Sequence, residues 1–391
     1  MTKKTLDVGQ TLEVAFSLIQ ENNLPEARKM IDAVLAINPN QPDSICLEGI
    51  IYFGLRRLKA AATNFNRTLD LVPSHKTAKL YLEKIKQRLR DVSASQYVKE
   101  FSRKQTSHMD YPYNIGIETV GRCNGDCTFC PHEELDRKND EMDDALFEKV
   151  ICDLEEIPPQ FPINIFPNLV NEPFMDRKIF VRLKAINDRL PNAAISIFSN
   201  LNVVSQNFFE EIVQVKNIKS FNVSFNAANK KEYEATMNMD FSRTVENLKE
   251  LMMEKQKFRF FEGPVVLSRV SDLSDGDTIY AEECANLFGD FTLGKDFVTW
   301  VKNRASWLGT IPEKQSSIPH EFPCNAWFDI NIFCDGVVPH CCMDATGKYS
   351  IGNVKTSSIL AIYNDVSFKY LRSQMAVRED VYPCNSCSLL Q

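Results

Sequence analysis

From Tyr113 onward the chain alternates between two hydrophobic rhythms. NIGIETV (114–120), INIF (163–166), AAISIFSN (193–200), SFNVSFN (220–226), PVVLSRV (264–270) and DFVTWV (296–301) are short runs rich in Ile, Val and Phe, edged by polar or turn residues. Such runs read as buried strands. Between them lie helix-like segments at 143–157, 176–190, 205–216, 242–256 and 277–288. Six strands alternating with helices predict repeated βαβ units around a parallel sheet, as an open wound sheet or a barrel. Ligands of either form gather at the carboxyl ends of the strands. From about Ile311 the rhythm stops and cysteines become dense, so metal coordination is the expected staple of a tail too small to build much core.

The first ninety or so residues carry a different pattern. Ala15, Ala27, Ile31 and Pro39 recur 34 residues later as Gly49, Ala61, Phe65 and Pro73. Small residues let two helices approach, a large apolar residue follows, and proline ends the second helix. This resembles the tetratricopeptide repeat, without its usual first-helix Trp. Two repeats and a helix from about Lys76 to Val92 would form a short all-α solenoid. The resemblance implies binding of a peptide, protein or carrier partner; a rigid spacer or a dimer contact is the plainer reading. Arg88, Arg90, Lys99, Arg103 and Lys104 make the following stretch basic, read as a solvated helix end and linker. The domains expected are 1–95 helical repeats, 96–112 linker, 113–310 core and 311–391 cysteine-rich tail.

Composition narrows the function classes. Apolar residues are 44% and charged residues 25% of the 391, ordinary for a soluble globular protein. A net charge of −7 argues against nucleic-acid binding. The start, MTKKTLDVGQTLEVAFSLIQ, has no apolar core of a leader, and no apolar run approaches the ~18 residues of a membrane span. The expected setting is cytoplasmic, with no membrane partner. Twelve cysteines in such a chain are not expected to pair as disulfides. Cys46, Cys152 and Cys284 stand alone among apolar neighbours and read as small buried hydrophobes. The other nine form two groups, which suggests two metal sites.

The first group is CNGDCTFCP (123–131), immediately after the first strand and therefore on the functional rim. A disulfide staple, half a zinc site and three ligands of an iron–sulfur cluster are the candidates. Tetrahedral zinc needs four ligands. Cys123, Cys127 and Cys130 supply three, and His132 follows Pro131 too closely for comfortable geometry. Three thiolates suit a [4Fe-4S] cluster with one iron left open.

Cys123-x3-Cys127-x2-Cys130, with aromatic Phe129 before the last cysteine and a strand before the loop, resembles the radical S-adenosylmethionine (radical SAM) superfamily. The resemblance implies a partial (β/α)6 barrel of the radical SAM type. It implies that the open iron is chelated by the amino and carboxylate groups of S-adenosyl-L-methionine. One-electron reduction then cleaves this molecule to methionine and a 5′-deoxyadenosyl radical, which takes a hydrogen atom from the substrate. Asn171-Glu172-Pro173 matches the family's GGEP-like stretch with Asn171 in place of the second glycine, and implies that Glu172 contacts the methionine amine. Ser199 and Asn200 after the third strand, Ser224 and Asn226 at the end of the fourth and Arg269 near the end of the fifth match positions where the family contacts the cofactor. Each Ser or Asn also has an ordinary reading, satisfying its own turn.

The tail resembles the SPASM/Twitch extension of these enzymes, a small α+β cluster-binding domain. Cys324, Gly336 and Cys341 match its C-x(9–15)-G-x4-C, followed by IGNV (351–354), LRS (371–373) and the Cys384/Cys387 pair. The shortness of the tail implies one auxiliary [4Fe-4S] cluster, the Twitch arrangement. Cys324, Cys384 and Cys387 are the implied ligands, with Cys341 or Cys342 as the fourth. Cys334 is an alternative ligand, a buried thiol or a hydrogen donor; a zinc-binding tail is the remaining alternative. A fully thiolate-bound cluster implies an electron acceptor, hence oxidation or bond formation on a peptide or sugar-like substrate, with reducing equivalents from a flavodoxin or ferredoxin. Redox-neutral epimerisation would instead use Cys334, or whichever of Cys341 and Cys342 is unligated, to return a hydrogen. A repeat adaptor with structural metal knots is the non-enzymatic alternative.

Overall fold

The apolar runs of the middle of the chain fold as parallel strands whose two faces find cover, except in the last, where Trp300 and Val301 are exposed. The computed structural model describes residues 7–311, 322–374 and 376–387, so part of the expected tail domain, 312–321 and 388–391, lies outside the described residues. The strands are β1 (Asn114–Ile117), β2 (Ile163–Phe166), β3 (Ala193–Ser199), β4 (Ile218–Ser224), β5 (Val265–Val270) and β6 (Phe297–Lys302). They pair in the order β6-β5-β4-β3-β2-β1, all parallel. The first run is shorter than its hydrophobicity suggests: beyond Ile117 only Val120 pairs, as an isolated bridge to Glu141.

Six strands were expected, and a seventh joins them. β7 (Asp329–Ile332) comes from the tail and pairs parallel to β1, Asn114 facing Asp329 and Ile117 facing Ile332. Ile330 and Ile332 are buried in the same core as Ile115 and Ile117, so the tail strand completes the apolar interior. The tail is thus continuous with the barrel it follows.

Helices cover the outer face: α7 (Asp144–Glu155), α8 (Ile179–Arg189), α9 (Phe208–Ile212), α10 (Lys230–Met237), α11 (Phe241–Phe258) and α12 (Gly276–Leu287). α7 starts where Asp143 accepts the amide of Leu146 at 2.7 Å. The tail adds a two-stranded ribbon, β8 (Val337–Val338) and β9 (Gly352–Asn353), then α13 (Ile359–Tyr363) and α14 (Val366–Ser373).

Ahead of the barrel run α1 (Val8–Gln20), α2 (Leu24–Ile37), α3 (Pro42–Gly54), α4 (Leu58–Leu71) and α5 (Lys76–Ala94). α1 packs on α2, α3 on α4 and α4 on α5. The repeating positions are the close contacts: Ala15, Ala27, Ile31, Ala61 and Phe65 are fully buried, and a Cβ on Gly49 would come within 2.7 Å of the Phe65 ring. The stretch expected as a linker holds α6 (Gln96–Ser107), whose Phe101 packs edge-on against Trp327 and Phe328 of the tail. Its polar composition hid a single buried stripe.

One buried ion pair ties tail to barrel. Glu118, fully buried just past β1, accepts from Arg137 Nε and Nη2 at 2.5 and 3.0 Å, while Arg137 Nη1 donates to the Ala345 carbonyl at 2.6 Å. The guanidinium carbon lies 3.3 Å from the centre of the Phe333 ring. Arg137→Ala would strand an unpaired carboxylate in the core, and a loss of about 3–5 kcal/mol in denaturant-measured stability is expected.

Candidate active site and auxiliary cysteine site

Cys123, Cys127 and Cys130 sit on the loop leaving β1. That loop is held before any metal enters. A Cβ on Gly121 would lie 2.0 Å from the Arg137 carbonyl, so only glycine lets the two backbones pass. His132 Nε2 donates to the Gly121 carbonyl at 2.8 Å; the residue considered as a fourth zinc ligand serves as a prop for the loop. Further along, the amides of Asp126 and Thr128 donate to the carbonyls of Met237 and Thr236 at 3.2 and 3.0 Å.

The three cysteines line one cavity of about 180 Å³ together with Phe129, Asn171, Glu172, Ser199, Asn200 and Ser224. Six of the eight cofactor-binding residues expected from sequence therefore converge at the strand ends. Glu172 is buried and accepts from Ser199 Oγ (2.7 Å), the Asn200 amide (2.7 Å) and the Phe174 amide (3.2 Å). Burial raises its carboxyl to about 7, although these three donors pull the other way. Asn200 is turned toward the cysteine loop, its Nδ2 donating to Asn124 Oδ1 at 2.9 Å and lying 3.9 Å from Cys123 Sγ.

Asn226 and Arg269 fall outside this cavity, in a smaller neighbour of about 110 Å³ that shares Phe129. Both are engaged in holding the strand ends. Asn226 Oδ1 accepts the Val270 amide at 2.7 Å and its Nδ2 lies 2.8 Å from Met237 Sδ. Arg269 pairs with Glu232, Asp272 and Asp277 at 2.6–3.0 Å. The ordinary turn-and-strand role describes these two.

Sequence reasoning missed Phe198, Met237, Met239, Lys302 and Trp307, which line the cysteine cavity as well, with Asn168, Leu169 and Val170. Met237 Sδ is 3.6 Å from Cys127 Sγ. Lys302, the last residue of β6, is the cation of the wall; burial lowers its ammonium, opposed by the nearby Cys130. None of these belongs to a spacing pattern, and only the terminal position of Lys302 on a strand was a signal.

The donor set fits a [4Fe-4S] cluster beside a small polar ligand. Burial, chiefly, pushes the thiols up, Cys123 to about 12 and Cys130 to about 11, with Cys127 also raised. Thiolates there need metal charge beside them. Asn168 Oδ1 and Asn171 Nδ2, both at the cavity wall, are buried without a hydrogen-bond partner among the described residues, and a bound polar molecule would satisfy them. Among the described residues no three His, Cys, Asp or Glu side chains converge on a single metal-ion position.

The second site lies in the tail. Burial raises the Cys341 thiol, and after burial the charges of Cys342, Cys324, Cys387 and Cys384 act on it. Cys324 in turn feels Cys384 and Cys387, with Arg378 pulling the opposite way. Cys324, Cys341, Cys342, Cys384 and Cys387 thus lie near enough for their charges to act on one another. Trp327, fully buried in the same apolar cluster as Cys384, turns its indole N–H to that thiol, and His340 Nε2 lies 3.2 Å from Cys384 Sγ. Four thiols, an indole donor and a neutral imidazole fit a thiolate-bound cluster with hydrogen bonds to its sulfur.

Cys334 is elsewhere. It is buried in the barrel core, near the Glu118–Arg137 pair, and does not line the cavity. Of the lone cysteines, Cys46 and Cys284 are buried as expected, but Cys152 is exposed, its sulfur 3.2 Å from Arg189 Nη2. Position 152 falls on the solvent side of α7, where apolar sequence neighbours belong to the opposite face.

Residues 324–388 match the SPASM family, an iron–sulfur cluster-binding domain. No curated protein matches the chain. Among solved structures, SuiB of Streptococcus suis bound to its precursor peptide SuiA superposes with a TM-score of 0.52 at 14% identity, covering 75% of this chain and 73% of that one. SuiB alone gives 0.50 at 13%, covering 84% and 85%. BtrN in complex with AdoMet and 2-DOIA gives 0.48 at 16%, covering 71% and 93%. The SuiB superpositions show the fold of the chain, a partial barrel of parallel strands and covering helices; a helical region precedes it and the SPASM match follows it. No helix among the described residues is long and apolar enough to cross a membrane.

Proposed function

We propose that this protein is an oxidative radical SAM enzyme acting on a peptide or on a substrate carried by a protein. The observation that carries the reading is the convergence of Cys123, Cys127 and Cys130 with Glu172, Ser199 and Asn200 in one cavity at the strand ends. When bound and reduced, the cluster there supplies the electron that cleaves S-adenosyl-L-methionine to the 5′-deoxyadenosyl radical, which abstracts a substrate hydrogen.

The chain's own residues do the rest. Cys123, Cys127 and Cys130 would hold the cluster and leave one position for the cofactor's amino and carboxylate groups. Glu172 faces the amine as a carboxylate, oriented by the donors already on it. Asn171 offers its orphan amide, and Lys302 gives a cation against the cofactor's carboxylate. Cys324, Cys341, Cys384 and Cys387 would hold the auxiliary cluster, in the Twitch manner. Held by four thiolates, it would supply an electron acceptor for substrate oxidation and no open position for substrate. With Cys341 used as a ligand and Cys334 in the core, Cys342 is the thiol that the alternative, epimerisation, would use as hydrogen donor.

Two features support a peptide: SuiB is bound to a precursor peptide in its structure, and the repeats form a cavity of about 530 Å³ lined by Leu12, Phe16, Leu47 and Ile50 with Asp43 and His75 at its edge. The tetratricopeptide-like region would bind the leader or carrier, and a cytoplasmic flavodoxin or ferredoxin would supply electrons.

Anaerobic incubation with dithionite and S-adenosyl-L-methionine tests the reading. Release of 5′-deoxyadenosine is expected; an adaptor with structural metal knots releases none. In the same assay Lys302→Met is expected to raise the KM for S-adenosyl-L-methionine roughly tenfold, the equivalent of one charge-assisted hydrogen bond.

A further inference from the structure

Helix α4 begins without a cap of its own. Its N-cap residue, Arg57, makes no side-chain capping bond, and its first turn has no acidic residue. The acceptor comes from the far end of the chain: Glu379 takes the amides of Lys59 at 3.1 Å and Ala60 at 2.9 Å, one on each oxygen. A carboxylate at that point satisfies two orphan donors and faces the positive end of the helix dipole. Lys59 Nζ pairs with Asp380 at 2.9 Å, an exposed pair that adds little. Arg57, freed from capping, reaches into the tail and donates from Nη2 to the Asn385 carbonyl at 3.2 Å. Asn385 stands between Cys384 and Cys387. A fixed cation of the repeat region therefore ends on the loop that presents two thiols of the second site.

We propose that Arg57 is a positioning residue of the auxiliary cluster, anchoring the Cys384–Cys387 loop and raising the cluster's reduction potential. This rests on the reading of the second site as a four-thiolate cluster. Reduction adds one negative charge, so a nearby cation stabilises the reduced form more than the oxidised one. Net charge and surrounding hydrogen bonds are the levers by which proteins set such potentials. Arginine keeps its charge at every workable pH, so the bias is permanent. The repeats thereby do more than present a groove: one of their helix ends becomes part of the electron acceptor's surroundings.

The test uses the full-length chain carrying Cys123/Cys127/Cys130→Ala, so that one cluster remains, with redox titration followed by electron paramagnetic resonance. Arg57→Gln is expected to bind the same iron and titrate at a more negative potential. Arg57→Lys, which keeps the charge, is expected to stay near the parent. Loss of iron in Arg57→Gln with retention in Arg57→Lys also supports the anchoring role. Equal potentials in Arg57→Gln and parent at equal iron overturn the proposal and leave the cluster assignment standing. A parent of this series without iron overturns the assignment itself, and the proposal with it.

Discussion

Glu172→Gln is expected to lower kcat/KM for S-adenosyl-L-methionine cleavage roughly 100-fold at pH 8 while leaving the iron content unchanged. The substitution keeps the shape of the side chain but removes the only carboxylate that lines the cavity among the described residues. A hydrogen bond to a charged group contributes about 1.5–3 kcal/mol, and each 1.4 kcal/mol is a factor of ten. The new amide also turns a donor toward the backbone N–H of Asn200 or the hydroxyl of Ser199, both of which donate to Glu172 in the parent. The pH profile separates charge from packing. Burial raises the Glu172 carboxyl to about 7, so the parent holds a carboxylate above that value and loses it as pH falls. Its kcat/KM should therefore decline from pH 8 to pH 6, whereas the Gln variant should be flat over the same range. A flat parent profile, or a variant within twofold of the parent, would contradict the role given to Glu172.

Cys384→Ala is expected to remove about four of eight irons and to abolish substrate oxidation while 5′-deoxyadenosine formation continues. Cys384 is buried among Trp327, Phe328 and Phe368, with His340 at 3.2 Å, and Ala there removes one of the four thiolates of the proposed cluster. Without the auxiliary cluster a substrate radical has no acceptor for its electron. Cofactor cleavage belongs to the other site, whose cysteines lie on the loop after β1, and should persist within about twofold. Product formation surviving in this variant would show that the electron leaves by another route.

The barrel was legible because its inner strands are buried on both faces, and continuous Ile, Val and Phe runs leave few other readings. The seventh strand was not. DINI (329–332) has two apolar residues, and its partner, β1, lies more than two hundred positions earlier. Helix α6 was hidden for a related reason. Only Val98, Phe101 and Lys104 are buried on it, and the face they cover belongs to the tail. At the candidate site, spacing announced what is held by one loop: the three cysteines, and Glu172 beside Pro173. Single residues brought in from strand and helix ends, such as Lys302 and Met237, carry no spacing and appear only once the sheet is assembled. The choice between Cys341 and Cys342 has the same character. Neighbouring thiols are equivalent in sequence, and Cys341 feels Cys342 as well as Cys324, Cys384 and Cys387.

Iron and acid-labile sulfide, measured in the anaerobically reconstituted parent and in the Cys123/Cys127/Cys130→Ala variant, test the account most directly. Two [4Fe-4S] clusters require about eight irons in the parent and about four in the variant, with sulfide in step. About four irons in the parent and none in the variant would remove the auxiliary cluster and the electron-acceptor role with it. Iron absent from both proteins would contradict radical chemistry at this site.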